Sequence, residues 1–308
     1  MMAKEVPDFQ KEQLKKLKKR STRNRRGFFK KFILGLVATL SAWLYLRFEA
    51  NWLETTKKKV LIPGLKNKVP IKLLHLSDFH FSNTVSLKDI DFALREGFSH
   101  NPDACVITGD FITSQISETE VKQYSELLNT YAQAVPIFAS LGNHDGGEWA
   151  GKNGGFKNTR AMEYMLKKAG IKLLQNQRES IFLKGQALSI AGVGDLWSKS
   201  CKPQQCLPAN SSRTSSGPSI LLSHNPDAKN LLKGFKWDLM LCGHTHGGQL
   251  KIPFSDWTPF APVEDHSMVE GLHQWNGRQI HITRGVGNLW GLRFNCRPEI
   301  SLLELAPV

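Results

Sequence analysis

Gly243-His244-Thr245-His246-Gly247-Gly248 follows directly on the apolar run Leu239-Met240-Leu241-Cys242. A short strand that ends in two histidines one residue apart delivers two imidazoles to one strand tip. Neutral imidazole is the commonest side-chain metal ligand, and the glycine before it lets the backbone turn sharply. A His-x-His pair alone says little. Its weight comes from further apolar-run-to-loop junctions that carry ligand types: Asp78-Phe79-His80, Gly109-Asp110, Gly142-Asn143-His144-Asp145 and the single His224. Carboxylate, amide and imidazole donors together suit Mn, Fe, Zn or Mg and disfavour a thiolate-type structural zinc. A carboxylate can bridge two such ions about 3.5–4 Å apart, and the recurrent chemistry of such pairs is in-line hydrolysis of phosphate esters.

Something must bring these residues together. Residues 71–77, 104–108 and 136–141 read as buried strands. Between the first two, Leu87, Ile90, Leu94 and Phe98 recur at helical spacing until Asn101-Pro102. Between the second and third, the capping box Ser117-x-x-Glu120 opens a helix with Val121, Tyr124, Leu127, Leu128 and Tyr131 on one side. That alternation predicts a parallel α/β sheet with helices on its faces. In such sheets ligands gather beyond the carboxyl ends of the strands. One cleft is therefore expected to collect Asp78, Asp110, Asn143, His224, His244 and His246. The second half is richer in strands: a hairpin of 181–183 and 187–190 around Lys184-Gly185-Gln186, then 219–223, 238–242, 279–283 and 300–305. A helix is expected over 158–170, with Asn158 as cap and Gly170 as stop. Loops 146–157 and 196–217 are long and rich in Gly, Pro and Ser.

The 308 residues suffice for one large domain plus an extension. The formal charge is +14, but residues 1–31 alone hold twelve Lys or Arg against three acids. Residues 1–27 read as a basic tail, suited to an anionic membrane surface or to nucleic acid. After it come fifteen uncharged residues, 32–46. As a helix these span about 22 Å, short of the roughly 30 Å of a bilayer core. With snorkelling cations the stretch 28–50 is long enough to attach the chain to a membrane. Trp43, Tyr45 and Trp52 suit an interfacial belt. The organisation expected is tail 1–27, membrane-attachment helix 28–50, linker 51–70 with Lys57-Lys58-Lys59, and catalytic domain 71–308. A spanning helix and an interfacial one both fit; a cleaved signal peptide does not, because the basic leader is too long. The five cysteines form no disulfide pattern. Cys105 and Cys242 lie in apolar runs, and Cys201 and Cys206 read as loop thiols of a reducing compartment. The thiols point to a cytoplasmic domain attached at the cell's inner membrane, which an interfacial helix allows; a spanning helix with the basic tail inside would place the domain outside.

In this order and chemistry the ligand clusters resemble the calcineurin-like dinuclear metallophosphoesterase family over residues 71–308. The resemblance implies a layered α/β sandwich of mixed sheets flanked by helices, and two divalent ions, with manganese favoured. Asp78, His80 and His246 match the ligands of the first ion. Asp110 matches the bridging carboxylate, and Asn143, His224 and His244 match the ligands of the second. His144 matches the non-ligand histidine that contacts the phosphate and protonates the leaving oxygen. One departure stands out. In the phosphoprotein phosphatase branch an Asp three residues after the bridging Asp partners that histidine, and here the position is Thr113. A neutral hydroxyl does not stabilise an imidazolium as a carboxylate does, which argues against a Ser/Thr protein phosphatase.

The basic-apolar N-terminus, Gly194-Asp195-Leu196-Trp197 and Arg293-Phe294-x-Cys296-Arg297-Pro298-Glu299-Ile300 resemble a membrane-attached bacterial branch of the family. This implies hydrolysis of UDP-2,3-diacylglucosamine to lipid X and UMP in lipid A synthesis. Trp149, Phe156 and Trp197 are then an apolar wall for acyl chains, and Arg284 and Arg293 a bidentate grip on a second phosphate. The partners expected are the bilayer and a phosphorylated lipid or nucleotide-lipid substrate, with no stable nucleic-acid partner. Two rival readings stand: a nuclease or nucleotide phosphodiesterase with the same dimetal centre, and a non-catalytic scaffold with metals as cement. His75 reads as a core histidine; His100, His266, His273 and His281 read as surface or packing residues. Asp145 is expected to orient its loop and Asp195 to hold a turn.

Overall fold

The computed structural model describes residues 8–66, 69–212, 217–255 and 257–308, in two compact units that part between Phe48 and Glu49. The first is built on one helix, α1 (Asp8–Glu49). It starts well before the apolar stretch because Lys, Gln, Glu and Leu of the basic segment are themselves good helix formers. Lys11 pairs with Asp8 at 3.3 Å and Lys16 with Glu12 at 3.0 Å. Its last part, Gly27–Glu49, has 23 residues and is long and apolar enough to cross a membrane. Phe32, Leu34, Leu36, Leu40 and Leu44 are all exposed there.

The second unit, Glu49–Val308, holds two six-stranded sheets. The first runs in the order β1 (Glu54–Ile62), β12 (Glu299–Pro307), β2 (Ile71–Leu76), β3 (Ala104–Thr108), β4 (Ile137–Ser140) and β5 (Lys172–Leu173). Crossover helices α2 (Leu87–Ser99) and α3 (Glu118–Ala132) keep β2, β3 and β4 parallel. α4 (Glu148–Lys152) and α5 (Arg160–Lys168) lead on to β5. The second sheet runs β10 (Gly271–Trp275), β11 (Arg278–Ile282), β9 (Leu239–Cys242), β8 (Ser219–Leu222), β7 (Gln186–Gly192) and β6 (Gln177–Leu183), with α6 (Lys229–Leu232) between β8 and β9. The parallel arrangement expected holds for the centre of each sheet. β12 is antiparallel to β2, and the pairs β6–β7 and β10–β11 are antiparallel hairpins, so both sheets are mixed.

Strand alternation explains the layering. Ile71 and Leu73 of β2, Val106 of β3 and Leu303 and Leu305 of β12 face Ile190, Ile220, Leu222, Leu239 and Leu241 of the second sheet, forming the seam. The intervening Leu74, Leu76, Cys105 and Ile107 pack with Ile90, Leu94, Tyr124 and Leu128 of the covering helices. Burial of each such side chain contributes about 1.5–3 kcal/mol. The α3 capping box forms as expected, Ser117 Oγ accepting from Glu120 N. Thr159 is the residue that caps α5, while Asn158 Oδ1 accepts from Arg160 N at 3.1 Å.

Residues 51–70, expected as a linker, contain β1, and β1 is the parallel edge strand beside β12. An edge strand needs only part of its length buried. Val60 and Ile62 enter the seam while Lys57, Lys58 and Lys59 stay exposed. The lysine run hides the alternation in the sequence, and at an open edge such charges discourage pairing with other chains. β10 also has no counterpart in the sequence reading. Its turn to β11 is Asn276-Gly277, both at positive φ, the two-residue turn that suits the twist of a hairpin.

Candidate metal centre

Each ligand type lies two to four residues beyond the carboxyl end of a strand: Asp78 and His80 after β2, Asp110 after β3, Asn143 after β4, His224 after β8, His244 and His246 after β9. The first four come from one sheet and the last three from the other, so the centre closes the end of the seam. All seven are buried. His80 Nε2 stands 3.0 Å from His246 Nε2, and Asp78 Oδ1 is 3.5 Å from His246 Nε2. His224 Nε2 lies 3.2 Å from His244 Nδ1 and 3.1 Å from Asp110 Oδ2. The same Asp110 oxygen is 3.4 Å from His80 Nε2, which joins the two groups. Within Asp78–His80–His246 and within Asp110–His224–His244 one donor atom of each residue lies within 4.8 Å of the others.

The other ring nitrogens decide which atoms remain for a cation. His224 Nδ1 donates to Thr108 O at 2.6 Å, His244 Nε2 to Pro262 O at 3.1 Å, and His80 Nδ1 to Thr113 Oγ1 at 3.2 Å. Lone pairs are thereby left on His224 Nε2, His244 Nδ1 and His80 Nε2, the atoms that converge. Asn143 Oδ1 is buried with no hydrogen-bond partner among the described residues, an uncompensated cost unless a cation meets it. Convergent lone pairs, two carboxylates and an orphaned amide oxygen fit divalent cations.

The backbone is bent to this purpose. Asp78, His80, Asp110, His244 and His246 all have φ between 49° and 70°. Non-glycine residues rarely adopt that region, at a cost of about 1–3 kcal/mol each, and it recurs at functional sites. Gly243 makes the approach possible, because a Cβ there would fall inside Ser77 Oγ and Asp78 Oδ2. Asp145 takes the orienting role expected of it: its carboxylate accepts from Asp110 N, Phe111 N and Gly142 N at 2.7–2.8 Å.

Burial opposes charge throughout the cluster, and ion pairing decides where charge survives. For Asp110 burial works upward, yet the His224 and His144 imidazoles hold its carboxyl well below the usual range. Burial likewise works against a charged His224, but Asp110 and Asp78 lift it to about 10, so the Nε2 lone pair becomes available as a cation displaces the proton shared with Asp110. Burial and then the neighbouring His224 push His244 down to about 3, and burial with His80 pushes His246 well below the ordinary imidazole value. The last two are neutral donors at physiological pH.

His144 is half-buried beside this set, its ring 4.9 Å from that of His80. Its Nδ1 donates to Thr113 O at 2.7 Å. The residue that lacks the family carboxylate therefore still orients the histidine, through its backbone carbonyl rather than its side chain. Trp149 packs edge-on to His144 at 4.6 Å, Trp197 edge-on to His244 at 4.3 Å, and the two indoles are 5.7 Å apart. Asp195 shapes the turn that carries Trp197, with Oδ2 accepting from Ser198 N at 2.6 Å.

Other expected site residues lie elsewhere. Phe156 packs on the helix-side core. Arg293 is fully buried, and its guanidinium donates to the carbonyls of His246, Cys296, Arg284, Gly285 and Gly287, which leaves it no fork for a phosphate. Arg284 is bound to Glu299 at 3.0 Å and Glu54 at 2.7 Å, with Glu270 at 3.7 Å. Both arginines build the wall behind His246. Arg284 finds its carboxylates in other segments, and Arg293 finds most of its carbonyls in its own loop; neither kind of partner shows in the spacing that suggested a substrate grip. His75 is a core histidine as expected, and His281 is buried with it: their Nδ1 atoms are 3.0 Å apart across the seam, and His75 Nε2 reaches Thr108 Oγ1 at 3.0 Å. The cysteines are free thiols, and burial pushes Cys201 up to about 12 and Cys206 up to about 11. Both are protonated thiols at neutral pH.

Known proteins place this geometry. The family model for calcineurin-like phosphoesterases matches residues 71–248. The phosphodiesterase YaeI of Escherichia coli (strain K12) is 40% identical, over 87% of this chain and 94% of its own. The uncharacterized metallophosphoesterase YkuE of Bacillus subtilis (strain 168) is 29% identical, over 91% of this chain and 95% of its own. The UDP-2,3-diacylglucosamine pyrophosphatase LpxG of Chlamydia trachomatis is 24% identical, over 87% of this chain and 94% of its own. The family works with divalent metals on phosphoric esters, and to that family of hydrolases, the calcineurin-like phosphoesterases, this chain belongs.

Proposed function

We propose that the protein is a dimetal hydrolase of a membrane-associated phosphodiester or pyrophosphate, with UDP-2,3-diacylglucosamine as substrate and lipid X and UMP as products. The observation that carries the dimetal reading is Asp110, whose Oδ2 lies 3.4 Å from His80 Nε2 and 3.1 Å from His224 Nε2, between two histidine sets. Asp78, His80 and His246 would hold one ion, and Asn143, His224 and His244 the other, with Asp110 common to both. Bound there, the cations, manganese by preference, supply Lewis acidity and a water of lowered pKa. The protein's own groups do the rest. Thr113 O fixes the proton on His144 Nδ1, so that Nε2 is the atom that exchanges a proton with the leaving oxygen. Trp149 and Trp197 line the rim beside it, where apolar indole surface suits an acyl chain.

Membrane attachment is supported by the 23-residue apolar helix, and the lipid substrate by the likeness to the chlamydial pyrophosphatase. A tether raises the local concentration of a lipid substrate and offers little for a free nucleotide. The proposed location is the inner membrane, with the catalytic domain on the cytoplasmic side. A second reading, a nuclease or nucleotide phosphodiesterase with the same centre, is supported by the basic N-terminal segment, whose charge suits nucleic acid; the 40% relative is named a phosphodiesterase with no substrate stated. Purified full-length protein with Mn²⁺ should be assayed on UDP-2,3-diacylglucosamine in mixed micelles, on bis(4-nitrophenyl) phosphate and on single-stranded DNA. Release of UMP at a kcat/KM well above that for the other two supports the lipid reading. Preferential turnover of DNA, weakening steeply with salt, replaces it with the second. Asp110→Ala should abolish turnover on every substrate and lower bound metal while the circular dichroism stays that of a folded domain; retained turnover would sink the dimetal reading.

A further inference from the structure

Segment 249–262 leaves the metal centre and returns to it. Gln249 directly follows the short turn that contains His246, and Pro262 at the far end accepts from His244 Nε2 at 3.1 Å. Between these tethers the chain turns apolar side chains outward: Ile252, Phe254, Trp257 and Phe260 are all exposed, Trp257 at 64% and Phe260 at 58%. Phe254 is the extreme case. It is wholly exposed and has φ of 60°, a region that bulky side chains avoid. The turn is nonetheless held by its own hydrogen bonds: Ile252 N to Trp257 O at 3.1 Å, Ser255 Oγ to Ile252 O at 3.2 Å, and Trp257 N to Ser255 Oγ at 3.3 Å. A bonded turn that presents aromatic rings to water offers an ordered surface to an apolar partner.

The surroundings say which partner. Leu250 bridges to Phe294, and Lys251 N donates to Phe294 O at 2.9 Å. The same neighbouring loop exposes Trp290. Two residues past Phe294, Cys296 N donates to Glu49 Oε1 at 2.6 Å, and Glu49 is the last residue of the apolar helix. Arg297 lies over Trp52 at 4.1 Å. Backbone bonding thus ties the aromatic turn to the point at which the apolar helix joins the domain. Trp and Phe exposed on a loop bonded to such a point have the chemistry of a bilayer interface, where aromatic rings concentrate.

We propose that the 249–262 turn is a lipid-docking surface, its Phe254, Trp257 and Phe260 seated in the interfacial layer of a phospholipid bilayer. Because Pro262 holds His244, seating the turn sets the metal centre at the height of lipid headgroups. This deepens the membrane-associated reading of the function and rests on it. The two are separated by tryptophan quenching. Full-length protein is reconstituted in phosphatidylethanolamine–phosphatidylglycerol vesicles with brominated acyl chains, and wild type is compared with Trp257→Phe and Trp43→Phe. Turnover of bis(4-nitrophenyl) phosphate serves as the check that each variant is folded. Both variants are expected to lose part of the bromine quenching, Trp257→Phe by removing the turn's reporter and Trp43→Phe by removing the helix's. If Trp257→Phe leaves quenching unchanged while Trp43→Phe reduces it, the helix is in the membrane and the docking turn is overturned. If neither reduces it, both the turn and the membrane reading fall. An unquenched Trp257 in a chain that sediments as a dimer would give the surface to a second copy and overturn the lipid assignment.

Discussion

His144 owes its orientation to a single backbone oxygen, since Nδ1 donates to Thr113 O at 2.7 Å. Thr113→Ala therefore keeps the acceptor of His144, and its cost falls instead on His80, whose Nδ1 loses Thr113 Oγ1. Burial holds His144 below its ordinary pKa, so at pH 7 the ring is neutral with Nε2 an acceptor, and the proton it passes to the leaving oxygen is first taken up there from water. His144→Ala should lower kcat by about 10²–10⁴, the range for one general acid or base. Bound metal, measured by elemental analysis, should be unchanged. Loss of an ion from that variant would make His144 a ligand and reverse the assignment.

Among the elements, the loop 284–298 fixes the second sheet's contribution to the centre. Arg293 is its keystone: one guanidinium gathers five carbonyls, His246 O among them. Arg293→Ala should cost about 3 kcal/mol or more in chemical denaturation, the equivalent of two charge-assisted hydrogen bonds. Arg293→Lys should not restore it, because a single ammonium lacks the planar fork. A raised KM at unchanged stability would instead return Arg293 to the substrate. The seam between the sheets carries a pH dependence. Burial holds His75 well below the usual imidazole range and His281 down to about 4, so the folded protein resists protons that the unfolded chain takes up near 6.5. Stability is unaffected by this pair above that pH and is lost as pH falls from about 6.5 towards 4. Compared with His75→Leu/His281→Leu, wild type should lose denaturation midpoint over that window. Parallel curves for the two proteins would show that the pair does not titrate.

For the whole molecule, the basic and apolar segment is one long helix and the catalytic residues lie in the second unit. Chemistry and membrane attachment should therefore separate. Replacing residues 32–46 with a polar linker should leave hydrolysis of bis(4-nitrophenyl) phosphate within about twofold and sharply reduce hydrolysis of a lipid substrate held in vesicles, as loss of a tether's effective concentration requires. Equal loss on both substrates would mean that the helix supports the fold of the domain instead.

The sequence by itself determined the donors, because metal-ligand types in fixed order at the ends of apolar runs are local and chemical facts. Asp78, Asp110, Asn143, His224, His244 and His246 stood out by their positions after strands, the family resemblance added His80 and set His144 apart, and the α3 capping box needed only its spacing. The tertiary structure decided what depends on partners far away in the chain. For His80, His224 and His244 the partner of the other ring nitrogen is a hydroxyl or carbonyl from another segment, Thr113 Oγ1, Thr108 O or Pro262 O, and a backbone oxygen carries no side-chain signature. Arg284 and Arg293 looked like free cations until folding set carboxylates and carbonyls around them. β1 looked like a linker because three lysines interrupt its alternation, and only β12 beside it makes an edge strand of that segment. Ligand identity follows from residue type, which the sequence carries; ligand direction, charge neutralisation and edge pairing follow from neighbours distant in the chain, which only the folded molecule supplies.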